Sequence, residues 1–433
     1  MLLPQKNINM TTKKILIIIF VTAMVLRIAL NVARQELFFQ KPFLSTGGQF
    51  DDRISSDSQW YNSAATGFLT GRGIASIPLH IVDWESKISA KYMELKVVDG
   101  EYVVHKVIPP LYTLFLAFCY FTGGFNTLAY FIPQIILSSL TCVLIYLIAS
   151  EIFNKIAALF AGFLVVFNLD LIFWSSFVRT ETLFIFLLCL FFLLLIKGSV
   201  KNNFLFIYLG AVIFGLACLT RITLIPFLPI LFVWQVYFSS KNRKENIKVA
   251  FLTALIIFAV LLPWGLRNYI VLGEFNVFTE ESGILVGSVS NGEQYKDIVI
   301  NKEYNSHKSL ISKTLFFIKD NFKVYLISCW HRFVLFWSPF TYAMRPLAKV
   351  YKGLSWLILF PAAFWGLIIS RNKGGKGTGL VIVFIFYHAL LHTASFVDLG
   401  LVYRYPIQPF LCIFAGYAFY ELYKKLRNFG SKA

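Results

Sequence analysis

Charged side chains that could carry chemistry stand at the edges of long apolar runs in this sequence. Burial of a charge in hydrocarbon costs several kcal/mol, so such groups are expected to face a cavity, a substrate or lipid headgroups. A carboxylate can take the proton of a hydroxyl group, and Lys or Arg can hold a phosphate. Together they predict a reaction in which a base activates a hydroxyl while cations bind a phosphate. The acids are Asp51, Asp52, Asp57, Glu181 and Asp398, and the bases are Lys106, Arg179, Arg221, Arg267, Arg345 and Arg404.

Each of these residues, taken alone, also has a simpler structural interpretation. Asp57 could be a solvated loop acid. Glu181 could be an acid favoured by the dipole at a helix N-terminus, with Thr180 near the cap. Arg221 and Arg267 could be interfacial anchors whose aliphatic stems lie along apolar surface. The residues by themselves leave these alternatives open.

Apolar runs make up most of the chain and must position the charged groups. Of 433 residues, 58% are hydrophobic and 14% are charged, which leaves too little polar surface for a soluble protein of this size. A helix needs about 20 apolar residues to cross about 30 Å of hydrocarbon, where free backbone amides find no partner. We therefore predict an all-α polytopic membrane protein of about ten transmembrane helices. The runs lie near 15–34, 128–150, 156–176, 182–197, 204–219, 222–238, 249–266, 353–370, 380–397 and 405–423.

Basic residues in the short loops predict the orientation of the chain. The 40 Lys and Arg outnumber the 22 Asp and Glu, and they cluster before the first run and near 197–201, 241–248, 371–376 and 424–427. With ten crossings and a cytoplasmic N-terminus, every cluster falls on the cytoplasmic side, as the positive-inside rule requires. The excess charge thus indicates orientation, with both termini cytoplasmic, and argues against nucleic-acid binding. The first run is predicted to be a retained anchor, since no clear cleavage site follows it.

Two long polar stretches, 35–108 and 267–320, fall on the outer side by the same count. The first carries a helical pattern at Asp57–Leu69, which we expect to lie on the bilayer surface. Two more segments, at about 110–122 and 322–340, are predicted to be interfacial helices, because the first is too short to span and the second carries several charges.

Residues 1–433 are predicted to form a single membrane-embedded domain, because we detect neither an internal repeat nor a separate soluble region. All six cysteines lie in apolar stretches, and their spacing predicts neither a disulfide framework nor a metal site. Chemistry is therefore expected in the outer loops and at the helix ends.

Six short motifs follow one another in an order that carries a family resemblance. They are Asp57 with Tyr61, Ala64, Leu69, Gly71 and Gly73; Lys106-Val-Ile-Pro109-Pro110; Glu181; Gly215-Leu-Ala-Cys-Leu-Thr220-Arg221; Pro263-Trp264-Gly-Leu-Arg267-Asn268-Tyr269; and Arg404-Tyr405-Pro406. The series resembles the membrane-embedded glycosyltransferases of the GT-C class. It is similar to the bacterial relatives of protein O-mannosyltransferases and of lipid A aminoarabinose transferase, which are glycosyltransferase family 39-like, and it runs from residue 13 to about 423.

This resemblance implies a GT-C fold and a hexosyl or pentosyl transfer, with inversion, from a polyprenyl-phosphate donor to an acceptor hydroxyl at the outer face. The implied partners are that donor, a lipid, glycan or protein acceptor, and membrane lipids, in the plasma (bacterial inner) membrane. Asp57 would be the general base, and Glu181 would orient the acceptor or the donor sugar. The implied donor-phosphate-binding residues are Lys106, Arg404 and Arg267, and the candidate substrate-binding residues are Tyr61, His105, Arg221 and Tyr405.

The sequence departs from the family pattern where the first acid is commonly followed by a second one, because Ser58 follows Asp57 here. This leaves the use of a divalent metal open, with His105 as a candidate ligand. The sequence itself requires no cofactor.

Two other classes of membrane protein compete with this interpretation. A secondary transporter or lipid flippase would carry ionisable groups near the bilayer midplane, often in two related halves. A surface-polysaccharide polymerase or ligase would share the outer loops and basic residues but would consume a lipid-linked oligosaccharide. The placement of the charges at one face favours the transferase.

Overall fold

The computed structural model describes residues 11–39, 56–76, 96–98, 102–104, 109–239, 242–273, 275, 277, 316, 318–339, 346–371, 373–395 and 401–430. Six of the charged or titratable candidates lie outside these residues. They are Asp51, Asp52, His105, Lys106, Arg345 and Asp398.

The described residues are mostly helical. The α-helices are α1 (Thr12–Phe39), α2 (Ser56–Leu69), α3 (Pro110–Gly123), α4 (Thr127–Ile152), α5 (Lys155–Val166), α6 (Leu169–Trp174), α7 (Glu181–Lys201), α8 (Phe204–Cys218), α9 (Leu228–Phe238), α10 (Arg243–Leu272), α11 (Phe322–Trp337), α12 (Pro346–Ser370), α13 (Thr378–Ser395) and α14 (Gln408–Gly430). Short 3-10 helices at Ile222–Phe227 and Leu401–Ile407 lead into α9 and α14. Each of the ten predicted runs coincides with one or two of these helices.

Asparagine side chains begin five of the helices. Asn126, Asn154, Asn168, Asn203 and Asn242 each occupy the N-cap position and accept a hydrogen bond from a backbone N–H of the first turn. The first amides of a helix have no partner within the helix itself. The asparagines therefore fix where these apolar helices start.

Five helices are long and apolar enough to cross a membrane: Thr12–Ala33 within α1, then α4, α7, α10, and Gly353–Ser370 within α12. Shorter apolar helices of 10–17 residues account for α3, α5, α8, Ile222–Phe238 and most of α13. The prediction of a helical, polytopic membrane protein is confirmed.

The two predicted interfacial segments are helices, α3 of 14 residues and α11 of 16 residues. At about 1.5 Å per residue, they extend roughly 21 and 24 Å, less than the hydrocarbon thickness of about 30 Å. α3 packs against α2 and α4, and α11 packs against α13. Their location at the membrane surface stays a prediction.

A small antiparallel sheet, which the sequence did not predict, lies in the first long polar stretch, 35–108. Its strands are β1 (Ala75–Ser76), β2 (Lys96–Val98) and β3 (Tyr102–Val104), in the order β1-β3-β2. Val104 pairs with Ala75 on one side and with Lys96 on the other. The sheet brings the end of β3 beside the chain that leaves α2.

The helices pack into one apolar core in which α14 lies centrally. α14 contacts α12, α5 and α4, while α4 also contacts α1 and α7. Glycines permit the closest approaches: a Cβ atom on Gly366 of α12 would overlap the carbonyl of Phe414, and one on Gly416 would lie 2.5 Å from the backbone nitrogen of Ala161. These contacts fix the distance of α14 from its neighbours, and thereby the position of the 3-10 helix before it.

Candidate active site

Glu181 is the first residue of α7 and is 4% exposed. Its carboxylate Oε1 lies 3.0 Å from Nη1 of Arg221, which forms both a hydrogen bond and an ion pair. The helix N-terminus adds favourable dipole interaction with the acid. The helix-terminal position predicted for Glu181 is therefore confirmed, and a cation accompanies it.

Arg221 follows the C-terminal end of α8 and precedes the 3-10 helix Ile222–Phe227. Its guanidinium lies 5.9 Å from the ring centroid of Phe184 and 5.7 Å from that of Tyr403. The carbonyl of Tyr403 lies 2.8 Å from Nε2 of His388, which holds this segment against α13. Arg221 is thus enclosed by aromatic rings and directed at an acid of the protein.

Helix α2 carries the predicted base and is attached to the segment that precedes Glu181. Ser58 Oγ donates a 2.8 Å hydrogen bond to the carbonyl of Val178. Asp57 lies next to Ser58 in α2, although its side chain lies outside the described part of the chain. The N-terminal end of α2 is thereby held near the N-terminal end of α7. The two predicted acids therefore belong to neighbouring helix ends.

Tyr61, a candidate substrate-binding residue, is buried one turn further along α2. Its ring meets that of Tyr112 edge-on, with centroids 5.0 Å apart. The Tyr112 hydroxyl donates to Gln134 Oε1 at 3.4 Å, and Gln134 Nε2 donates to the carbonyl of Phe177 at 3.0 Å. These contacts join α2, α3 and α4 beneath the site.

Arg267, a predicted phosphate ligand, lies near the end of α10 and is half-buried. Its Nη2 donates to the carbonyl of Ile74 at 3.2 Å and its Nη1 donates to Asn268 Oδ1 at 2.9 Å. The guanidinium also lies 4.8 Å from the ring centroid of Trp264. Because Ile74 follows the C-terminal end of α2, Arg267 lies near that end of the helix and not near the end that carries Asp57.

Arg404, another predicted phosphate ligand, is 2% exposed in the 3-10 helix before α14. Its Nη1 donates to the carbonyls of Phe336 at 3.0 Å and Ser338 at 2.6 Å, and its guanidinium lies 3.7 Å from the Trp356 ring centroid. Burial lowers the pKa of Arg404 to about 10, while the nearby Asp170 carboxylate raises it. The side chain therefore stays charged at neutral pH and fastens the end of α11.

Tyr405, the last candidate substrate-binding residue, is buried beside the Glu181 pocket. Its ring centroid lies 5.1 Å from that of Trp174, and the Arg179 guanidinium lies 5.0 Å from the same Trp174 ring. Tyr405 and Glu181 line one small pocket together with Ser138 and Thr141 of α4. The structure thus brings Glu181, Arg221 and Tyr405 together, whereas Arg404 and Arg267 lie in separate surroundings.

Among the described residues, three buried charged side chains were not among the sequence candidates: Arg27, Asp170 and Arg332. Asp170 of α6 accepts a 3.0 Å hydrogen bond from Gln408 Nε2, and Arg27 of α1 is fully buried. Arg27 could have been found, because an ionisable residue inside an apolar run is a functional candidate by itself. Asp170 carried the same signal, because it lies inside the apolar run 156–176 that the sequence predicted as one continuous helix.

Within the described ranges, no three His, Cys, Asp or Glu side chains lie close enough together to hold a metal ion. His105, the candidate metal ligand, lies outside them. The arrangement that is described combines an enclosed carboxylate, a paired guanidinium and aromatic walls. Such a site can accept a hydrogen bond from a hydroxyl group and keep its acid oriented while water is largely excluded.

Comparison with known proteins places this geometry in a wider context. Residues 107–264 match the family model described as dolichyl-phosphate-mannose-protein mannosyltransferase, which covers less than half of the chain. No curated protein sequence was found to match. The matched segment contains α3 to α9 and most of α10, and with them Glu181 and Arg221.

Solved structures of two membrane glycosyltransferases share the fold. ArnT from Cupriavidus metallidurans bound to undecaprenyl phosphate aligns with a TM-score of 0.55 and 14% identity, over 94% of this chain and 60% of that one. AglB, an archaeal oligosaccharyltransferase from Archaeoglobus fulgidus in complex with an inhibitory peptide and a dolichol-phosphate, aligns at 0.56 and 13% identity, over 97% and 51%. This chain therefore spans between half and two thirds of their lengths. The fold that the resemblance to the GT-C class implied is confirmed.

Proposed function

We propose that this chain is a glycosyltransferase that moves a sugar from a polyprenyl-phosphate donor to an acceptor hydroxyl, with inversion, at the outer face of the membrane. The observation that carries the proposal is the enclosed Glu181–Arg221 pair at the meeting of helix ends, in a fold shared with ArnT bound to undecaprenyl phosphate. A carboxylate kept at a helix N-terminus with its own cation suits the binding of a neutral, hydroxyl-rich group.

In the proposed reaction, Asp57 takes the proton of the acceptor hydroxyl as the acceptor oxygen attacks the anomeric carbon. The bond between that carbon and the phosphate oxygen breaks, and the polyprenyl phosphate leaves with the electron pair. The configuration of the carbon inverts because the attack comes from the face opposite the leaving group. Glu181 orients the reacting sugar or the acceptor through the carboxylate that Arg221 holds in place.

Fixed cations would stabilise the negative charge that develops on the departing phosphate, and they act most strongly where water is scarce. We assign this role to Lys106, Arg267 and Arg404. In support, Nε of Arg404 is buried and has no hydrogen-bond partner among the described residues, although Nη1 is occupied. We assign four residues to the walls of the substrate site: Tyr61, His105, Arg221 and Tyr405. Arg221 acts there through its ion pair with Glu181.

The proposal places the protein in the bacterial inner membrane, with both termini in the cytoplasm and the active site outside. The donor would be a polyprenyl-phosphate hexose or pentose, and the acceptor a lipid, a glycan or a protein. These assignments depend on the positions of the basic loops and on the motifs that resemble the family.

Transfer is tested by incubating membranes that contain the protein with a panel of radiolabelled undecaprenyl-phosphate sugars and following the label. We expect one sugar to move to an acceptor with wild-type protein and not with the Asp57→Asn variant. Asp83→Asn, an acid in the same outer stretch with no assigned role, is the matched control and should retain activity. Transfer by Asp57→Asn at the wild-type rate would refute the assignment of the base.

A transferase of lipid-linked oligosaccharides is the second candidate, because the fold also aligns with AglB. It would leave the monosaccharide panel unused and consume a lipid-linked oligosaccharide instead. A transporter or flippase would move labelled lipid across the membrane of a proteoliposome without forming a glycosidic bond, so that the same labels separate the three classes.

A further inference from the structure

A small polar pocket lies between α4, α6, α7 and the 3-10 helix before α14. Its polar lining includes Ser138 and Thr141 of α4, Glu181 and Thr182 of α7, and Tyr405, with Trp174 at one wall. The free space has room for a single hydroxyl group or water molecule and not for a whole sugar ring. A polar group of a larger molecule can therefore enter it while the rest of that molecule stays outside.

The carboxylate of Glu181 offers this pocket an unused acceptor. Oε1 is occupied by Arg221, whereas Oε2 is buried and has no hydrogen-bond partner among the described residues. A buried carboxylate oxygen without a partner loses its hydration and gains nothing in return, so a donor is expected to bind it when the site is filled.

Ser138, another residue that lines the pocket, offers a donor whose direction is set by Arg27. Nε of Arg27 donates to Ser138 Oγ at 2.7 Å, while Nη1 donates to the carbonyl of Ala23 and Nη2 to Cys142 Sγ, both at 3.2 Å. A serine oxygen that accepts from a guanidinium must direct its own hydrogen elsewhere. In the described part of the chain nothing accepts that hydrogen, and the serine lines the pocket.

Arg27 is fully buried, and the groups that accept its hydrogen bonds in the described part of the chain are neutral. A buried cation without a carboxylate is costly, which argues that its charge and its donor geometry serve the pocket behind Ser138. The cation also polarises the serine hydroxyl and strengthens it as a donor.

We propose that this pocket is a hydroxyl-binding subsite for the sugar that is transferred or for its acceptor, in which Glu181 Oε2 accepts from the hydroxyl and Ser138 Oγ donates to it. Arg27 is the positioning residue that turns the serine hydrogen towards the ligand. The inference rests on the proposed glycosyl transfer and adds the group that the site selects, a single hydroxyl bound as both donor and acceptor.

The test compares deoxy and deoxyfluoro analogues of whichever undecaprenyl-phosphate sugar is transferred, and of its acceptor, one ring position at a time. At one position of one substrate, removal of the hydroxyl should lower kcat/KM of the wild type about 100-fold, because two hydrogen bonds to it are lost, one of them to a charged group. Ser138→Ala should reduce that discrimination to about 10-fold, since only the bond to Glu181 remains. Fluorine, which can accept but cannot donate, should recover part of the loss in wild type and none in Ser138→Ala.

Ser139→Ala is the matched control, because Ser139 is the next residue of α4, is also buried and is not among the residues that line the pocket. It should keep the wild-type discrimination. Arg27→Met should reproduce the discrimination of Ser138→Ala, and the double variant should add nothing further. A loss of stability alone would lower activity towards all analogues equally and would not change their ratios.

Equal effects of Ser138→Ala at every ring position of donor and acceptor would overturn the subsite while leaving transfer intact. If Ser138→Ala changes the effect of removing one hydroxyl of the donor sugar, the transferred sugar is the ligand of the subsite. If it changes the effect of removing one hydroxyl of the acceptor, the acceptor is the ligand. Thermal stabilisation by undecaprenyl-phosphate sugars relative to undecaprenyl phosphate, measured in parallel, reports sugar binding without turnover. Protein that neither transfers nor is stabilised by any sugar would contradict the proposed function and the subsite with it.

Discussion

Removal of one partner of the Glu181–Arg221 pair is expected to destabilise the protein strongly, and removal of both is expected to cost much less than the sum. The charged atoms are 3.0 Å apart, and the two side chains are 6% and 15% exposed. At an effective dielectric constant of about 20, the attraction at that distance is about 5 kcal/mol. Desolvation offsets part of it, so we expect a coupling free energy of about 2–3 kcal/mol.

The assay is a double-mutant cycle with Glu181→Gln, Arg221→Met and the double variant. Free energies of unfolding are measured in mixed micelles with increasing fractions of SDS, followed by tryptophan fluorescence. Each single variant leaves a buried group without its partner, which is why each should cost about 3 kcal/mol or more. The cycle isolates the pair from changes in packing at either residue.

The control cycle uses the pair Lys373–Glu421, whose atoms are 4.0 Å apart and whose lysine side chain is 61% exposed, while the glutamate side chain is 16% exposed. Screening by water leaves such a pair with a coupling of about 0–1 kcal/mol. If the Glu181–Arg221 cycle gave a coupling no larger than the control, the electrostatic account of the site would be refuted. Arg221 would then act only through its contacts with the aromatic rings.

Three further outcomes follow from packing, hydrogen bonding and capping. Gly366→Ala should destabilise the protein by about 1–3 kcal/mol in the same unfolding assay, because the added methyl meets a backbone carbonyl, whereas Gly379→Ala, with open space around it, should be neutral or slightly stabilising. Arg404→Lys should expose the end of α11 to limited proteolysis and lower transfer, since a lysine cannot reach both carbonyls while stacking on the ring; unchanged cleavage near Ser338 would argue otherwise. Asn154→Ala should cost about 1 kcal/mol through loss of the cap of α5, and no change would show that the cap is replaced by water.

The helices could be predicted from the sequence because hydrocarbon demands long apolar runs, and every predicted run is helical. The place of Glu181 at the start of α7 could also be predicted, since the preceding segment is polar and the following one is not. The interruption of the third run into α5 and α6 was not predicted, because Asn168 and Asp170 stand in an otherwise apolar run and the capping role of Asn168 appears only in three dimensions.

Partners of the charged residues were beyond sequence reasoning, because they join positions far apart in the chain. Glu181 and Arg221 are separated by 40 residues, and Arg404 reaches carbonyls 66 and 68 residues away. Composition shows that such groups must avoid lipid, but it does not show whether they meet a substrate, a backbone carbonyl or each other. The assignments of Asp57, Lys106 and His105 stay predictions, and so do the roles in catalysis of the residues that the structure does describe.

The hydrogen bond from Ser58 to Val178 has a consequence for exchanging parts between related enzymes. It joins the helix that carries the proposed base to the short turn three residues ahead of the second acid. A chimaera that received only the first loop of another enzyme would lose this hydrogen bond, and the carboxylates of Asp57 and Glu181 would no longer be aligned. Grafts that aim at a new acceptor should therefore transplant residues 175–180 along with the loop, as a matched set.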